Sequence, residues 1–316
     1  RTARRPGWAD LPADLRAAIE ERLGGAITSA RVAGGGFTQG FAAVLTTAGG
    51  LRRFVKAAPL DSPPAEWYAQ EARITAALPL GVPAARVRWT DELAGHFVIC
   101  VDAVDGARMP ALPWSTADLA ATLDAIAATA AALSPLPPAL AELATDAFST
   151  AMKGTLDRWR AISDGERPLP DQAASLADRL SELVALETEF LALGDAATTV
   201  FHCDLRVDNV IIDTAGAAWI CDWNWVTRGP AWTDLVTVLL SASPDHDVDR
   251  LFAAHPATRG LPDEALDAAL AGLSGYFVTQ ATEPAVETSP YIRPHQRYYG
   301  ELALDWLARR RAWRRL

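Results

Sequence analysis

Between residues 27 and 104 apolar residues mostly alternate with polar ones, and beyond residue 106 they recur every three to four positions. The alternating runs over 27–34, 40–47 and 51–57, parted by Gly-rich turns, predict three strands, and 84–90 and 96–102 predict two more. A short helix over 10–24, closing on Gly24, precedes them. Another lies in Ser62-Pro63-Pro64 through Leu78-Pro79, with proline near its start and again just past its end. Helical spacing then dominates over 117–133, 145–163, 171–193, 231–242, 262–281 and 293–315, with the Pro-rich 134–138 as a kink between helices. The pattern predicts an α+β chain, in which a small five-stranded antiparallel sheet carrying one helix is followed by a large, mainly helical part.

One segment interrupts the helical half. Residues 200–223, V-F-H-C-D-L-R-V-D-N-V-I-I-D followed by A-W-I-C-D-W, read as strand, tight loop, strand, short turn, strand. They hold H-x-D-x-x-x-x-N in His202, Asp204 and Asn209, with Asp222 thirteen residues further on. These residue types in this order suit phosphoryl transfer from a nucleotide. A carboxylate, Asp204, orients or deprotonates an attacking hydroxyl. An amide oxygen, Asn209, and a second carboxylate, Asp222, hold Mg²⁺ on the phosphates. With five His and only two Asn in the chain, the three-residue spacing is expected by chance roughly 0.003 times. The plain alternative is a set of turn caps, which Asp and Asn favour, but further parts of the same pattern occur upstream in the right order.

Of 29 basic residues only Lys56 and Lys153 are lysine. Lys56 ends the strand L-R-R-F-V-K, where an ammonium needs anions: nucleotide phosphates and a helix carboxylate. Trp67, Glu71, Ile74 and Leu78 share one helix face, so Glu71 lies in an apolar stripe and needs a partner, whereas Glu66 lies with Gln70 and Arg73 on a solvated face. Glu71 is therefore the expected partner of Lys56. The turn V-A-G-G-G-F-T-Q-G-F brings Gly34, Gly35, Gly36 and Gly40 between two strands, where backbone N–H groups can approach phosphates closely. It is not G-x-x-x-x-G-K-[ST], which excludes a P-loop enzyme.

Together these residues resemble the aminoglycoside phosphotransferase family, the small-molecule branch of the protein-kinase-like fold that also includes choline and homoserine kinases. The resemblance runs from about residue 30 to 240 and is densest over 200–235. It implies a two-lobed fold, with residues 1–104 as a nucleotide-binding lobe and 105–316 as a catalytic and substrate-binding helical lobe. It also implies ATP (or GTP) with Mg²⁺, and transfer to a small-molecule hydroxyl, most readily that of an aminoglycoside or related antibiotic. Metabolic kinases of amino sugars or choline-like alcohols share the pattern, and a non-catalytic nucleotide-binding protein is the third alternative. F-V-I-C-V-D-A-V-D-G resembles the hinge between lobes, with adenine held by backbone groups near Cys100, Val101 and Asp102. By the same resemblance His202 supports the loop, Arg206 stands where a basic group meets the γ-phosphate, and Asp234 braces the loop. Two positions depart from the family: Cys203 stands where glycine is usual, and Trp223-Asn224 where Trp-Glu is common. Only eleven residues separate Asp222 from Asp234, too few for the activation loop of a protein kinase.

A net charge of −10 argues against a nucleic-acid partner. No apolar run is long enough for a membrane span, and no apolar signal core follows the basic first residues. Three cysteines, Cys100, Cys203 and Cys221, lack zinc spacing and fit a reducing cytoplasm. Asp245, Asp247, Asp249, Glu283, Glu287, Tyr291, Tyr298 and Trp306 are candidates for an acceptor pocket, with solvated turn residues as the plainer reading. The basic run at 309–315 reads as the solvated end of a helix.

Overall fold

The computed structural model describes residues 5–34, 40–287 and 289–313. Five strands, β1 (Ile27–Val32), β2 (Phe41–Thr47), β3 (Arg52–Pro59), β4 (Val87–Leu93) and β5 (His96–Asp102), form an antiparallel sheet of order β1-β2-β3-β5-β4. Helix α1 (Ala13–Leu23) buries Leu15, Ile19 and Leu23 against one face, on Leu45, Val55, Ala57, Val98 and Cys100. It stops at Gly24, whose φ of 77° only glycine adopts without strain. Helix α2 (Pro63–Ala77) covers the other face, with Tyr68 and Ala72 against Ala58 and Ile99. The two-residue period of the strands thus decides which side chains meet α2: Lys56 and Val101 do, Val55 and Cys100 do not.

The helical lobe comprises α3 (Thr116–Ala132), the short α4 (Pro138–Ala141) and α5 (Phe148–Ala151), α6 (Arg158–Ser163), α7 (Leu180–Asp195), α8 (Thr233–Ala242), α9 (Val248–Ala254), α10 (Ala265–Gln280) and α11 (Ile292–Arg310). Four short strands lie between α7 and α8. These are β6 (Val200–Phe201), β7 (Val210–Ile212), β8 (Ala218–Ile220) and β9 (Thr227–Arg228), paired β6 with β9 and β7 with β8. Helix α10 is buried almost all round and forms the axis of a core that includes Phe190, Leu235 and Leu304. No helix among the described residues is long and apolar enough to cross a membrane.

Several elements differ from the sequence reading. The helix expected over 145–163 is broken at Gly154, which takes φ 70° between α5 and α6. The first nine residues of the helix expected from 171 form a 3-10 helix, consistent with burial of Ala173 and Leu176 three positions apart. Strand β4 starts later than expected because the chain before it is taken up by the helical lobe. Ile220 donates its N–H to the Pro83 carbonyl at 2.7 Å, and Arg86 closes the end of α2 by donating to the carbonyls of Leu78, Pro79, Leu80 and Val82. Helix α9 was not expected at all; Asp247 caps it, accepting the Arg250 N–H at 3.1 Å. The end of α11 is not freely solvated, since Arg310 pairs with Asp249 and Asp267, and Arg311 with Glu182 and Asp267.

Candidate active site

The loop after β6 is set from below by two buried groups. His202 is fully buried, its Nδ1 accepting the Asp204 N–H at 3.2 Å and its Nε2 donating to the Cys221 carbonyl at 2.9 Å. Burial pushes its pKa down to about 4, so the ring is neutral and acts as a spacer. Asp234, in the first turn of α8, accepts the N–H of His202 at 2.7 Å and of Cys203 at 3.2 Å. Cys203 has φ 71°, a conformation that favours glycine, which is the residue expected there by resemblance. Burial pushes the Cys203 thiol up to about 12, so it is no nucleophile.

The loop presents Asp204 to the cleft. Its carboxylate is 39% exposed, and desolvation by its surroundings pushes its pKa up to about 6, against the pull of Arg206. Arg206 Nε lies 3.3 Å from Asp204 Oδ1, and its Nη2 lies 3.3 Å from Asp208 Oδ2. Asn209 donates Nδ2–H to the Asp204 carbonyl at 2.7 Å, which fixes the loop and turns its amide oxygen elsewhere.

Across the cleft, Lys56 Nζ meets Glu71 Oε1 at 2.7 Å, Glu71 Oε2 at 2.6 Å and Asp222 Oδ1 at 2.7 Å. Burial alone would lower the pKa of this ammonium, but Asp222 and Glu71 more than reverse it. Burial likewise opposes ionisation of Asp222, yet Lys56 holds its pKa at about 2. The Tyr68 ring lies 5.3 Å from Nζ, and it fits because Gly40 has no side chain to meet it. Asp222 takes φ 68°, and Asn224 Nδ2 donates to its Oδ1 at 3.0 Å. The Asn224 carbonyl accepts from Gln70 Nε2 at 2.6 Å, which ties this segment to α2. The departure at Asn224 is therefore part of the support for Asp222.

Between the lobes lies a cavity of about 350 Å³. Val32, Gly34 and Val44 line it from the sheet, Val104 and Met109 from the connection, and Asn209, Ile211, Ile220 and Asp222 from the helical lobe. Val101 and Asp102 line it as expected, but Cys100 does not. It is buried under α1, on the opposite face of the sheet from Lys56 and Val101. The Asp102 N–H is already donated to the Arg86 carbonyl at 2.9 Å, and its carboxylate holds Arg88 at 2.6 Å. Among the described residues, the backbone of Ala103 and Val104 makes no hydrogen bond, so the available hinge groups lie one and two residues beyond Asp102. Gly35 and Gly36 fall outside the described residues.

No group of three or more His, Cys, Asp or Glu able to hold a metal occurs among the described residues. A magnesium ion carried on nucleotide phosphates needs less, one or two protein oxygens with phosphate and water completing its shell. Asn209 and Asp222 fit that role. The oxygens Asp208 Oδ1 and Asn224 Oδ1, on residues flanking the two, are buried without a hydrogen-bond partner.

Sequence reasoning missed Arg5, Met109, Gln70 and Asn224. Arg5 lines the cavity and its charge bears on Glu71 and Asp222; no motif marked it. Of the acceptor candidates, Asp247 caps a helix, and Trp306 is fully buried and donates to Asp249 at 3.2 Å. Glu283 is held by Arg167 at 2.8 Å.

A family model for the phosphotransferase enzyme family matches residues 29–273. The chain belongs to that family. It is a small-molecule phosphotransferase with a protein-kinase-like fold. A thermostable mutant of the aminoglycoside phosphotransferase APH(4)-Ia is similar in structure, with a TM-score of 0.60 at 14% identity over 94% of this chain and 99% of that one. So is the choline kinase LicA from Streptococcus pneumoniae, with a TM-score of 0.54 at 17% identity over 93% and 98%. Macrolide 2'-phosphotransferase type I gives 0.56 at 17% identity over 89% and 93%. At these identities the likenesses establish the fold alone. No curated protein sequence matches the chain.

Proposed function

We propose that this enzyme transfers the γ-phosphoryl group of ATP to a hydroxyl of a small molecule, with Mg²⁺ as the accompanying ion. The observation that carries this reading is that Lys56, held by Glu71, meets Asp222 across the cleft, with Asp204 and Asn209 on the same lobe as Asp222. We take residues 1–104 as the nucleotide-binding lobe and 105–316 as the lobe that binds the acceptor. The purine, adenine or in its place guanine, lies between Val32 and Val44 above and Ile211 and Ile220 below, with its edge towards the Val104 backbone. Gly34, at the sheet side of the cavity, has no side chain to keep the phosphates away. Lys56, oriented by Glu71, neutralises the α- and β-phosphates. Asn209 and Asp222 would hold Mg²⁺, which neutralises phosphate charge and leaves the γ-phosphorus open to in-line attack.

Asp204 accepts the proton of the acceptor hydroxyl as its oxygen bonds to the γ-phosphorus. The bond from that phosphorus to the β,γ-bridging oxygen breaks, and ADP departs with the electron pair. Arg206 faces the charge that develops. Three free thiols fit a reducing, cytoplasmic setting.

The resemblance points to an aminoglycoside or related antibiotic as acceptor, and a structurally similar enzyme forms a ternary complex with ADP and hygromycin B. Among the described carboxylates of the helical lobe, Glu283 is held by Arg167 and Asp208 lies beside Arg206, so neither is free to meet a polycation. A metabolic hydroxyl compound suits these surroundings better. The test is Mg-ATP consumption with mass spectrometry of products over antibiotics, amino sugars, hydroxy acids and choline-like alcohols. A product heavier by one phosphoryl group, absent with Asp204→Ala, is the expected result. Undiminished turnover in that variant would refute the mechanism.

A further inference from the structure

Arg5 precedes α1 in the chain, yet it lines the same cavity as Lys56, Glu71 and Asp222. The segment that carries it is fixed on the other side of the sheet. The Trp8 ring lies 6.0 Å from that of Phe41, against the cluster under α1, and Leu11 is buried in that cluster. The Gly7 N–H donates to Asp10 Oδ2 at 2.8 Å and its carbonyl accepts the Asp10 N–H at 3.1 Å, which closes a turn shortly after Arg5. Phe41 faces α1, whereas the neighbouring Gly40 meets the Tyr68 ring on the face that carries Lys56. Between Trp8 and Arg5 the chain therefore crosses from the α1 face to the cleft, and it brings a guanidinium into the cavity.

Without Arg5 the Lys56 end of the cavity is short of positive charge. Lys56 contributes one cation against two carboxylates, those of Glu71 and Asp222, and it holds both. The charge of Arg5 bears on Tyr68, Glu71 and Asp222, the groups that surround Lys56, and makes the set neutral. The other two arginines that line the cavity are engaged elsewhere. Arg108 is held by Asp118 at 2.7 Å, and Arg31 donates to the Ala107 carbonyl at 3.2 Å. Arg31 is in register with Val44, Val44 with Phe54, and Phe54 with Val101 of the hinge. Arg31 and Arg108 thus belong to the hinge end, and Arg5 to the end that holds Lys56. A polyphosphate brings several negative charges into this half-enclosed space, where anions without cations beside them are strongly disfavoured. A guanidinium fork matches phosphate oxygens in geometry as well as charge.

Resting on the reading of this cavity as the nucleotide site, we propose that Arg5 is a second nucleotide-binding cation, which holds the phosphate chain together with Lys56. Nucleotide binding then depends on a residue ahead of the whole sheet, delivered by the segment that Trp8 and Leu11 anchor.

The test is calorimetric titration of the full chain with Mg-ADP and with adenosine, for the native protein, Arg5→Gln and Arg5→Lys. Arg5→Gln is expected to weaken Mg-ADP binding roughly 10- to 100-fold. Adenosine binding stays unchanged in the same variant, since only phosphates meet the guanidinium. Arg5→Lys keeps the charge without the fork and recovers part of the loss. For an acceptor found to turn over, Arg5→Gln raises KM for ATP by a similar factor and changes kcat little. The proposal is overturned if Arg5→Gln binds Mg-ADP as tightly as the native chain or loses adenosine in equal measure. Tighter Mg-ADP binding by Arg5→Gln overturns it as well, and makes the segment a plug instead of a ligand. Native Mg-ADP binding that Arg5→Gln retains refutes the role of Arg5 alone, whereas a native protein that binds no Mg-ADP refutes the nucleotide reading on which it rests.

Discussion

Lys56 Nζ and Asp222 Oδ1 meet at 2.7 Å across the cleft, although 166 residues separate them in the chain. The pair joins the sheet to the segment after β8, and Glu71 on α2 completes it from behind. Replacing Lys56 by Met leaves the buried Glu71 and the half-buried Asp222 carboxylates without their cation. Lys56→Met is expected to lower stability by about 3–5 kcal/mol, read from urea unfolding. The double variant Lys56→Met, Glu71→Leu should recover part of that loss. A cost for Lys56→Met below about 1 kcal/mol would mean that water screens the cluster as at a protein surface.

Asp204 is exposed to the cleft and makes no contact that anchors another element, whereas Asn209 and Asp222 sit on the nucleotide side. Asp204→Asn is therefore expected to reduce turnover about 10²- to 10⁴-fold and leave Mg-ATP affinity unchanged. Asp222→Ala should instead weaken nucleotide binding in a Mg²⁺-dependent way. Calorimetry with and without Mg²⁺ separates the two, and identical metal dependence in both variants would count against Asp222 as a ligand.

Asp234 supports the loop through two N–H groups that no other described residue takes up. Asp234→Ala leaves both buried and unpaired, with an expected loss of about 2–3 kcal/mol and a fall in turnover. The neighbouring Cys203 is strained at φ 71°. Cys203→Gly relieves about 1–2 kcal/mol of that strain and gives back about 0.5–1 kcal/mol in chain entropy. Stability should stay level or rise slightly, and turnover should be retained. A marked loss of stability would show that thiol packing outweighs the strain.

Glu187 gives a pH signature. Burial raises its pKa from the ordinary 4.5 to about 7, against the two N–H groups it accepts. The unfolded chain releases this proton near 4.5 and the folded chain holds it to about 7, so its contribution to stability falls as pH rises through that window. Glu187→Gln cannot ionise and lacks this dependence. Its deficit relative to the native chain should shrink by roughly 3 kcal/mol between pH 4.5 and 8, measured by urea unfolding at each pH. A deficit independent of pH would mean that Glu187 stays ionised throughout.

Much of the site was legible because its chemistry is local in sequence. His202, Asp204 and Asn209 lie within one loop, and a single loop fixes their relative positions. Glu71 could be assigned to Lys56 because helical periodicity places it in an apolar stripe, where a carboxylate needs a partner. Of the expected hinge residues, Val101 and Asp102 line the cavity and Cys100 does not, a distinction invisible where the three look alike as a run. Which of them faces the cleft depends on register with β3 and on the claim Arg86 makes on the Asp102 N–H.

The sequence by itself determined the fold class, the order of sheet and helices, and the residues proposed for phosphoryl transfer, because periodicity and short spacings survive without knowledge of distant contacts. Only the tertiary structure decided how the charged groups of the helical lobe meet. Arg158, Glu187, Gly275, Tyr276 and Glu283 come from three helices and a loop, and no local pattern says which of their charges are already paired. Pairing is a property of distance in space, and here it joins Glu283 to Arg167, 116 residues away in the chain.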